Sequence, residues 1–280
     1  MRKIDVSKIR DAVSELCLKA NFELRGDVLK ALKASLKKEN GARAKGIIKS
    51  IIDNAAFARK KRIAICQDTG MAVVHLEVGQ DAAIVGGTLK NYINEGVKQA
   101  YAKGYLRKSV VDHPLFRNNT NTNTPANIFI DMVDGDRIKI SVSPKGFGSE
   151  NKSAIKMFKP TSSIEEIKEF IIDTVRKAGP DACPPLVLGI GMGGTFERAA
   201  YLAKKALFKS IDGSDSDKYT KKLEREILRA INSLGIGPMG LGGKTTALGV
   251  NILCEPTHIA GLPVAVNVSC HATRSAKKTI

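Results

Sequence analysis

The sequence contains no tryptophan, and only nine phenylalanines and five tyrosines among its 280 residues. No apolar run approaches the roughly 20 residues that a membrane-spanning helix needs, so we expect no membrane segment and no membrane partner. The opening residues, 1–5, carry charge with no apolar stretch behind them, which is unlike a secretory signal. Five cysteines, an odd number, do not suit a disulfide framework, and we therefore expect a reducing, cytoplasmic location.

Acidic residues are also scarce: 28 aspartates and glutamates stand against 45 lysines and arginines, for a formal net charge of +17. Such a balance is compatible with nucleic acid, an acidic partner subunit or an anionic substrate. The basic residues are spread along the chain, and no basic run is interleaved with aromatic residues, so we expect no nucleic-acid partner. A basic nucleic-acid-binding module stays open only as a remote alternative.

The chain does contain regularly spaced apolar residues, and spacings of three and four predict helices where alternation predicts strands. We predict three helices within the first sixty residues, further helices over 81–103, 164–177, 197–207 and 218–234, and strands over 72–78, 127–133, 137–143, 186–190, 247–254 and 263–268. Asp134-Gly135 predicts a hairpin between strands 127–133 and 137–143. Ser162 or Ser163 is expected to cap the helix over 164–177, and residues 212–217 to form a polar loop. The predicted fold class is therefore mixed α/β (α+β), with a helical N-terminal segment followed by mixed sheets flanked by helices. It forms one domain, or two lobes of one domain, over residues 1–280.

Two glycine-rich segments invite comparison with nucleotide-binding loops. Residues 237–246 contain Gly243-Lys244-Thr245, as a phosphate-binding loop does, but Pro238 stands where that loop has its first glycine. Residues 189–195 lack the glycine register and the following acidic residue of a dinucleotide site. A nucleotide-binding protein is therefore a distant alternative. Three other interpretations of segment 237–246 stay open: a loop that approaches a carboxylate, a loop at a subunit contact, or a tight helix-to-strand turn.

Three cysteines lie at the ends of apolar runs, where we expect a strand to meet a loop: Cys66, Cys183 and Cys270. Three thiolates brought together can bind an iron–sulfur cluster and leave one iron without a protein ligand, which then acts as a Lewis acid. The long spacings leave the alternative that each is an inert buried thiol. Cys17 and Cys254 lie on apolar patterns and are predicted core residues.

Seven segments taken together resemble one family. They span residues 65–70 (ICQDTG), 106–112 (LRKSVVD), 123–126 (NTPA), 144–151 (PKGFGSEN), 189–197, 236–247 and 261–274. On these segments the chain resembles the class I, iron–sulfur-dependent hydro-lyases, which are fumarate hydratase and L(+)-tartrate dehydratase. The resemblance covers the α subunit, equivalent to the N-terminal domain of single-chain members. Phe147 departs from it, because the family pattern usually has a third glycine there.

The resemblance implies a set of site residues. They are the [4Fe–4S] ligands Cys66, Cys183 and Cys270, the substrate-binding residues Gln67, Arg107, Gly146 and Gly148, and the catalytic residues Asp68 and His258. An arginine can grip one carboxylate of a dicarboxylate through paired hydrogen bonds. Without the resemblance, Arg107 and His258 are an ordinary surface cation and an ordinary loop histidine. Asp68 would then cap a helix that begins at Thr69.

The implied reaction is the reversible hydration of fumarate to (S)-malate, and the alternative within the family is dehydration of L(+)-tartrate to oxaloacetate. By the same resemblance, a separate β subunit supplies the C-terminal catalytic domain and the catalytic base. An α–α dimer is implied within an α₂β₂ assembly. The expected partners are thus a dicarboxylate substrate, the β subunit and a second copy of this chain, with no nucleic acid and no membrane.

Overall fold

The computed structural model describes residues 1–212 and 217–280. Its helices and mixed sheets confirm the predicted fold class. The chain forms two compact units, each assembled from segments that are distant in sequence. Unit 1 comprises residues 1–25, 54–147 and 274–280, and unit 2 comprises residues 26–53 and 148–273. The predicted polar loop at 212–217 lies almost wholly outside the described residues. Within those residues, no helix combines the length and the apolar character that crossing a bilayer requires.

Helices and strands follow one another along the described chain. The helices are α1 (Val6–Phe22), α2 (Gly26–Lys38), α3 (Ala42–Lys61), α4 (Leu89–Lys103), α5 (Phe147–Glu150), α6 (Ile164–Ala178), α7 (Phe196–Ala206) and α8 (Lys218–Asn232). The strands are β1 (Arg2–Asp5), β2 (Met71–Gly79), β3 (Ala82–Val85), β4 (Asn127–Val133), β5 (Ile138–Lys145), β6 (Ala154–Phe158), β7 (Leu186–Gly194), β8 (Ala247–Thr257), β9 (Leu262–Ser269) and β10 (Ala276–Thr279).

Unit 1 is built on a four-stranded sheet in the order β10-β5-β2-β4. β2 pairs antiparallel with β5 and parallel with β4, while β1 and β3 form a separate parallel pair. The apolar stripe of α1 recurs every three or four residues, so Val13 and Leu16 pack in one core with Leu76 of β2 and Ile140 of β5. Burying each Leu or Ile side chain contributes roughly 1.5–3 kcal/mol.

Unit 2 contains a sheet in the order β6-β9-β7-β8, in which β7 runs parallel to β8 and antiparallel to β9. Ile171 of α6 and Ile227 of α8 are buried in one cluster with Leu188 of β7. Helix α6 begins at a capping box, since Ser163 Oγ accepts from the Glu166 N–H at 3.2 Å and Glu166 Oε2 accepts from the Ser163 N–H at 2.7 Å. This confirms Ser163 as the cap.

Helix α7 packs closely on two glycines of β7. A Cβ atom added to Gly189 would lie 2.1 Å from the carbonyl oxygen of Ala203, and one added to Gly191 would lie 2.1 Å from that of Ala199. Only glycine therefore allows the helix to approach the strand at this distance. Helix packing thus accounts for Gly189 and Gly191 without a dinucleotide.

The structure differs from the sequence prediction in the order of strands. Residues 82–85 form β3, which pairs with β1, so the helix predicted over 81–103 begins only at Leu89. β4 and β5 do not form the predicted hairpin, because β2 lies between them. Nearly every residue of β2 is buried, and that apolar strand takes the interior position of the sheet.

Two predictions about cysteines were wrong. Cys66 precedes β2 and Cys183 precedes β7, so only Cys270 follows a strand. Cys254 is exposed, because it lies near the end of β8, an edge strand whose last residues lose the cover of the core. Cys17 is buried as predicted, and burial raises the pKa of its thiol to about 12.

Candidate active site

Buried side chains from other segments of unit 1 fix the loop that carries Cys66. The hydroxyl of Tyr101 donates to the carbonyl oxygens of Thr69 and Gly70, at 2.6 and 3.1 Å. The side-chain amide of Asn123, which is fully buried, donates to the Gly70 carbonyl at 3.0 Å. Burial raises the pKa of Tyr101, so its phenol keeps the proton that it donates. The main chain of the loop is thus held in place, and the Cys66 side chain is half-buried.

Arg107 lies beside this loop. Its carbonyl oxygen accepts a hydrogen bond from Thr69 Oγ1 at 2.5 Å, and its side chain is exposed. Gln67 is also exposed, and its side-chain oxygen accepts from the Cys66 thiol at 3.3 Å. Within unit 1 the structure therefore brings the backbone of Arg107 to the loop that carries the Cys66 thiol and the Gln67 amide, and solvent can reach all three side chains.

Asp68 uses both carboxylate oxygens to hold backbone. Oδ1 accepts from the Gly70 N–H at 2.9 Å, and Oδ2 accepts from the Phe147 N–H at 2.8 Å. A Cβ atom on Gly146 would lie only 3.0 Å from Oδ2, so glycine gives the carboxylate room. No helix begins at Thr69; Asp68 closes a turn and ties segment 146–147 to the cysteine loop.

Arg274 is a residue of this site that the sequence motifs did not single out. Its side chain is 3% exposed, Nη2 donates to the carbonyl oxygen of Asp68, and Nε lies 3.4 Å from that of Pro144. Nη1 is buried and has no hydrogen-bond partner among the described residues. A buried guanidinium is stable only with polar or anionic partners, so this donor marks a place for one. The available signal was its position four residues after Cys270.

In unit 2 the segments carrying Cys183 and Cys270 are hydrogen-bonded to each other. The backbone N–H of His271 donates to the Cys183 carbonyl at 3.2 Å, and the Thr273 hydroxyl donates to the Cys270 carbonyl at 2.8 Å. Cys183 has left-handed backbone angles, φ 53° and ψ 65°, which cost about 1–2 kcal/mol for a residue with a Cβ. Both side chains are half-buried. A strained residue at such a position points to a functional role.

The glycine-rich segment 237–246 packs behind Cys183. The Met239 N–H donates to the carbonyl oxygen of Pro184 at 2.8 Å. Glu39, only 2% exposed, accepts from the N–H groups of Lys244 and Thr245, at 3.0 and 2.7 Å. An internal carboxylate thus occupies the amides that a phosphate would need, so this segment supplies no argument for nucleotide binding.

The sheet of unit 2 separates His258 from the two cysteines. Cys270 directly follows β9, whose last residue, Ser269, pairs with Val187 at the start of β7. His258 directly follows β8, whose last residue pairs with Gly194 at the end of β7. The nine residues of β7 span about 25 Å. The structure therefore brings Cys183 and Cys270 to one end of this sheet and His258 to the other.

Gly148 also belongs to unit 2, and a Cβ atom there would make an ordinary contact, 3.8 Å from the Asp181 carbonyl oxygen. In residues 1–212 and 217–280, no three His, Cys, Asp or Glu side chains converge tightly enough to hold a single metal ion. A cubane makes a different demand, because each thiolate binds a different iron and the sulfurs need not meet at one point.

The sequence from residue 10 to residue 279 matches the profile of the family described as fumarate hydratase (Fumerase). The chain belongs to this family. A protein of Methanocaldococcus jannaschii, provisionally named L(+)-tartrate dehydratase subunit alpha, is 44% identical over 280 residues, covering 98% of both chains. Proteins named L(+)-tartrate dehydratase subunit alpha from Escherichia coli and Shigella boydii are each 28% identical over 272 residues, covering 96% of this chain and 89% of theirs. Membership of the Fumerase family identifies the chain as part of a hydro-lyase.

Proposed function

We propose that this chain is the α subunit of a class I fumarate hydratase, which interconverts fumarate and (S)-malate by adding and removing water. One observation supports the proposal most directly: in a chain of this family, the segments of Cys183 and Cys270 are hydrogen-bonded at the same end of one sheet. Backbone strain is found at functional sites, so the left-handed backbone of Cys183 is consistent with a thiol that binds a metal.

In this proposal a [4Fe–4S] cluster is bound by Cys66, Cys183 and Cys270, because three thiolates can bind such a cluster and leave one iron without a protein ligand. All three thiols are half-buried, so none of them is sealed inside a core as Cys17 is. The orphan donor of Arg274 adds positive charge behind the Cys66 loop, which suits an anionic assembly of cluster and thiolates. When bound, such a cluster supplies an open iron that polarises a substrate oxygen.

The chain's own residues bind and orient the dicarboxylate. Arg107 grips one carboxylate through its exposed guanidinium, and Gln67 donates from the same loop. The backbone of Gly146 and Gly148 contacts the substrate. Asp68, fixed by the Gly70 and Phe147 N–H groups, orients the group that transfers the proton. His258 donates a hydrogen bond to a substrate oxygen.

A β subunit completes the enzyme in this proposal, since no residue of this chain is assigned as the catalytic base. The isolated chain should then bind the cluster and show little turnover, and added β subunit should restore it. Full activity of the isolated chain would contradict this part. We place the enzyme in the cytoplasm, as an α₂β₂ assembly around an α–α dimer.

Anaerobic reconstitution with iron and sulfide tests the cluster. We expect about four irons per chain and absorbance from thiolate-to-iron charge transfer. Cys66→Ser, Cys183→Ser and Cys270→Ser should each lower both signals, because each removes a ligand. Cys254→Ser, at an exposed thiol of β8, is the matched control and should leave them unchanged. If all three ligand variants keep wild-type absorbance and iron content, the assignment fails.

L(+)-tartrate dehydratase is the second candidate, and the names of the M. jannaschii and E. coli relatives favour it. Both reactions need the same grip on two carboxylates, and tartrate differs from malate by one hydroxyl. The ratio of kcat/KM for malate and tartrate on the reconstituted αβ complex separates them. A higher value for tartrate would replace the first candidate with the second.

A further inference from the structure

The glycine-rich segment holds the turn that carries Cys183 from both sides of that residue, and all of the residues concerned belong to unit 2. After the cysteine, the carbonyl oxygen of Pro184 accepts from the Met239 N–H at 2.8 Å. Before it, a Cβ atom added to Gly240 would lie 2.3 Å from Cβ of Pro180, so only glycine allows the segment to lie this close. The Pro180 carbonyl in turn accepts from the Cys183 N–H at 2.9 Å.

A further contact connects the same segment to strand β7. The Leu186 N–H donates to the carbonyl oxygen of Thr246 at 2.8 Å. Thr246 is fully buried, and its hydroxyl oxygen accepts from the Gly237 N–H at 3.2 Å, which joins the two ends of the segment. The segment thus has a fixed shape as well as fixed contacts with the Cys183 turn.

Glu39 fixes this segment from a distant part of the sequence. Its carboxylate is 2% exposed and accepts from the N–H groups of Lys244 and Thr245, at 3.0 and 2.7 Å. A Cβ atom on Gly243 would lie 3.1 Å from Oε2, so the carboxylate packs directly against the backbone of the segment. Two buried N–H groups depend on this one side chain, and a buried donor without an acceptor is costly.

We infer that Glu39 is a positioning residue for the cluster ligand Cys183, on which it acts through the glycine-rich segment. The inference rests on the proposed function, in which Cys183 binds iron. The left-handed backbone of Cys183 is unfavourable for a residue with a Cβ atom. Such a conformation persists only where the surrounding structure determines it, and here Glu39 fixes the segment that surrounds it.

The consequence extends to the second cysteine of unit 2. The Cys183 carbonyl accepts from the His271 N–H at 3.2 Å, and His271 directly follows Cys270. A Cys183 turn that leaves its place loses this hydrogen bond as well. Glu39 therefore helps to hold both cysteine segments of unit 2 in the arrangement that the proposed function requires.

Hydrogen–deuterium exchange of the apoprotein tests the inference without a cluster. Glu39→Gln keeps the size of the side chain, but its new amide group opposes one of the two N–H donors. The segment then opens more often, so we expect the amides of Cys183, Leu186 and Met239 to exchange about tenfold faster than in the wild type. Glu39→Asp, with a shorter side chain, is a milder second variant and should give the same pattern with a smaller increase.

Glu224→Gln is the matched control. Glu224 is 4% exposed and also accepts from a backbone N–H, that of Ile252 in β8, at 2.9 Å. We expect this variant to speed exchange at Ile252 and to leave the amides of Cys183 and Met239 at the wild-type rate. Equal acceleration at the Cys183 turn in Glu39→Gln and Glu224→Gln would reduce Glu39 to a general source of stability and overturn the inference. Wild-type exchange at that turn in both variants of Glu39 would also overturn it.

Cluster retention gives a readout that concerns iron directly. After anaerobic reconstitution, excess EDTA removes iron, and the decay of the charge-transfer absorbance measures the rate. We expect decay about tenfold faster in Glu39→Gln and at the wild-type rate in Glu224→Gln, because only the first change loosens a ligand. Equal rates in Glu39→Gln and the wild type would contradict the inference. Failure of the proposed function is recognised separately, as a wild-type chain that takes up no cluster while the exchange data still show that Glu39 controls the Cys183 turn.

Discussion

Each of the two units uses a carboxylate to hold a glycine-containing segment, but the two carboxylates differ in their exposure to solvent. Asp68 binds two N–H groups in unit 1, and Glu39 binds two in unit 2, with lengths between 2.7 and 3.0 Å in both cases. Glu39 is 2% exposed, whereas Asp68 is half-buried. Water can replace the bonds of Asp68 but not those of Glu39. The same local chemistry therefore gives a buried carboxylate in unit 2 and a carboxylate that solvent can reach in unit 1.

The largest expected effect is that of Glu39→Gln on stability. The new amide group opposes one of the two N–H donors of segment 244–245 and leaves it buried without an acceptor. We expect the free energy of unfolding to fall by about 2–3 kcal/mol, measured by urea denaturation of the apoprotein. Glu165→Gln, at an exposed side chain in α6, is the control and should change it by less than about 0.5 kcal/mol. Equal effects would mean that burial does not distinguish the two carboxylates.

Alkaline pH should weaken unit 1 through Cys17. Burial raises the pKa of this thiol from 9.0 to about 12, so above pH 9 the unfolded chain loses a proton that the folded chain keeps. Stability therefore falls as pH rises, by about 1.4 kcal/mol between pH 8 and pH 10 for this group. Cys17→Ala removes that part of the fall, although the smaller side chain lowers stability at every pH. A variant with the same pH dependence as the wild type would contradict the assignment.

Asp68→Asn should have the smallest effect on stability, about 1 kcal/mol, because its new amide group opposes only one of the two N–H donors and the side chain is half-buried rather than buried. Turnover of the αβ complex should instead fall more than about tenfold, since in the proposed function this carboxylate orients the group that transfers the proton. Urea denaturation and steady-state rates measure the two effects on one preparation. A stability loss as large as that of Glu39→Gln, with turnover intact, would reverse the comparison.

Local pattern predicted most of the elements. The three-and-four spacing of α1 and the Ser163 cap of α6 are encoded within a few residues, and the structure has both. The prediction of a hairpin between β4 and β5 was wrong, because β2 pairs with both strands and lies some fifty residues earlier in the chain. Strand order depends on which apolar strand is best buried, and a short window of sequence does not contain that competition.

The site could be predicted only where residues form a compact motif. Two recognisable segments contain Gln67, Asp68 and Arg107, and in unit 1 these two segments are hydrogen-bonded through the Thr69 hydroxyl. Glu39 stands in no motif, and its N–H partners lie more than 200 residues away. Arg274 gave no sign of its burial, because arginine is usually exposed. The separation of His258 from Cys183 followed only from strand direction.

The left-handed backbone of Cys183 has a consequence for the selection of stabilised variants. Glycine adopts a φ of 53° without steric penalty, so Cys183→Gly would raise the free energy of unfolding of the apoprotein by about 1 kcal/mol. A library screened for thermal tolerance alone would enrich this change and discard a proposed ligand. Screening at this position should therefore be run with iron and sulfide present.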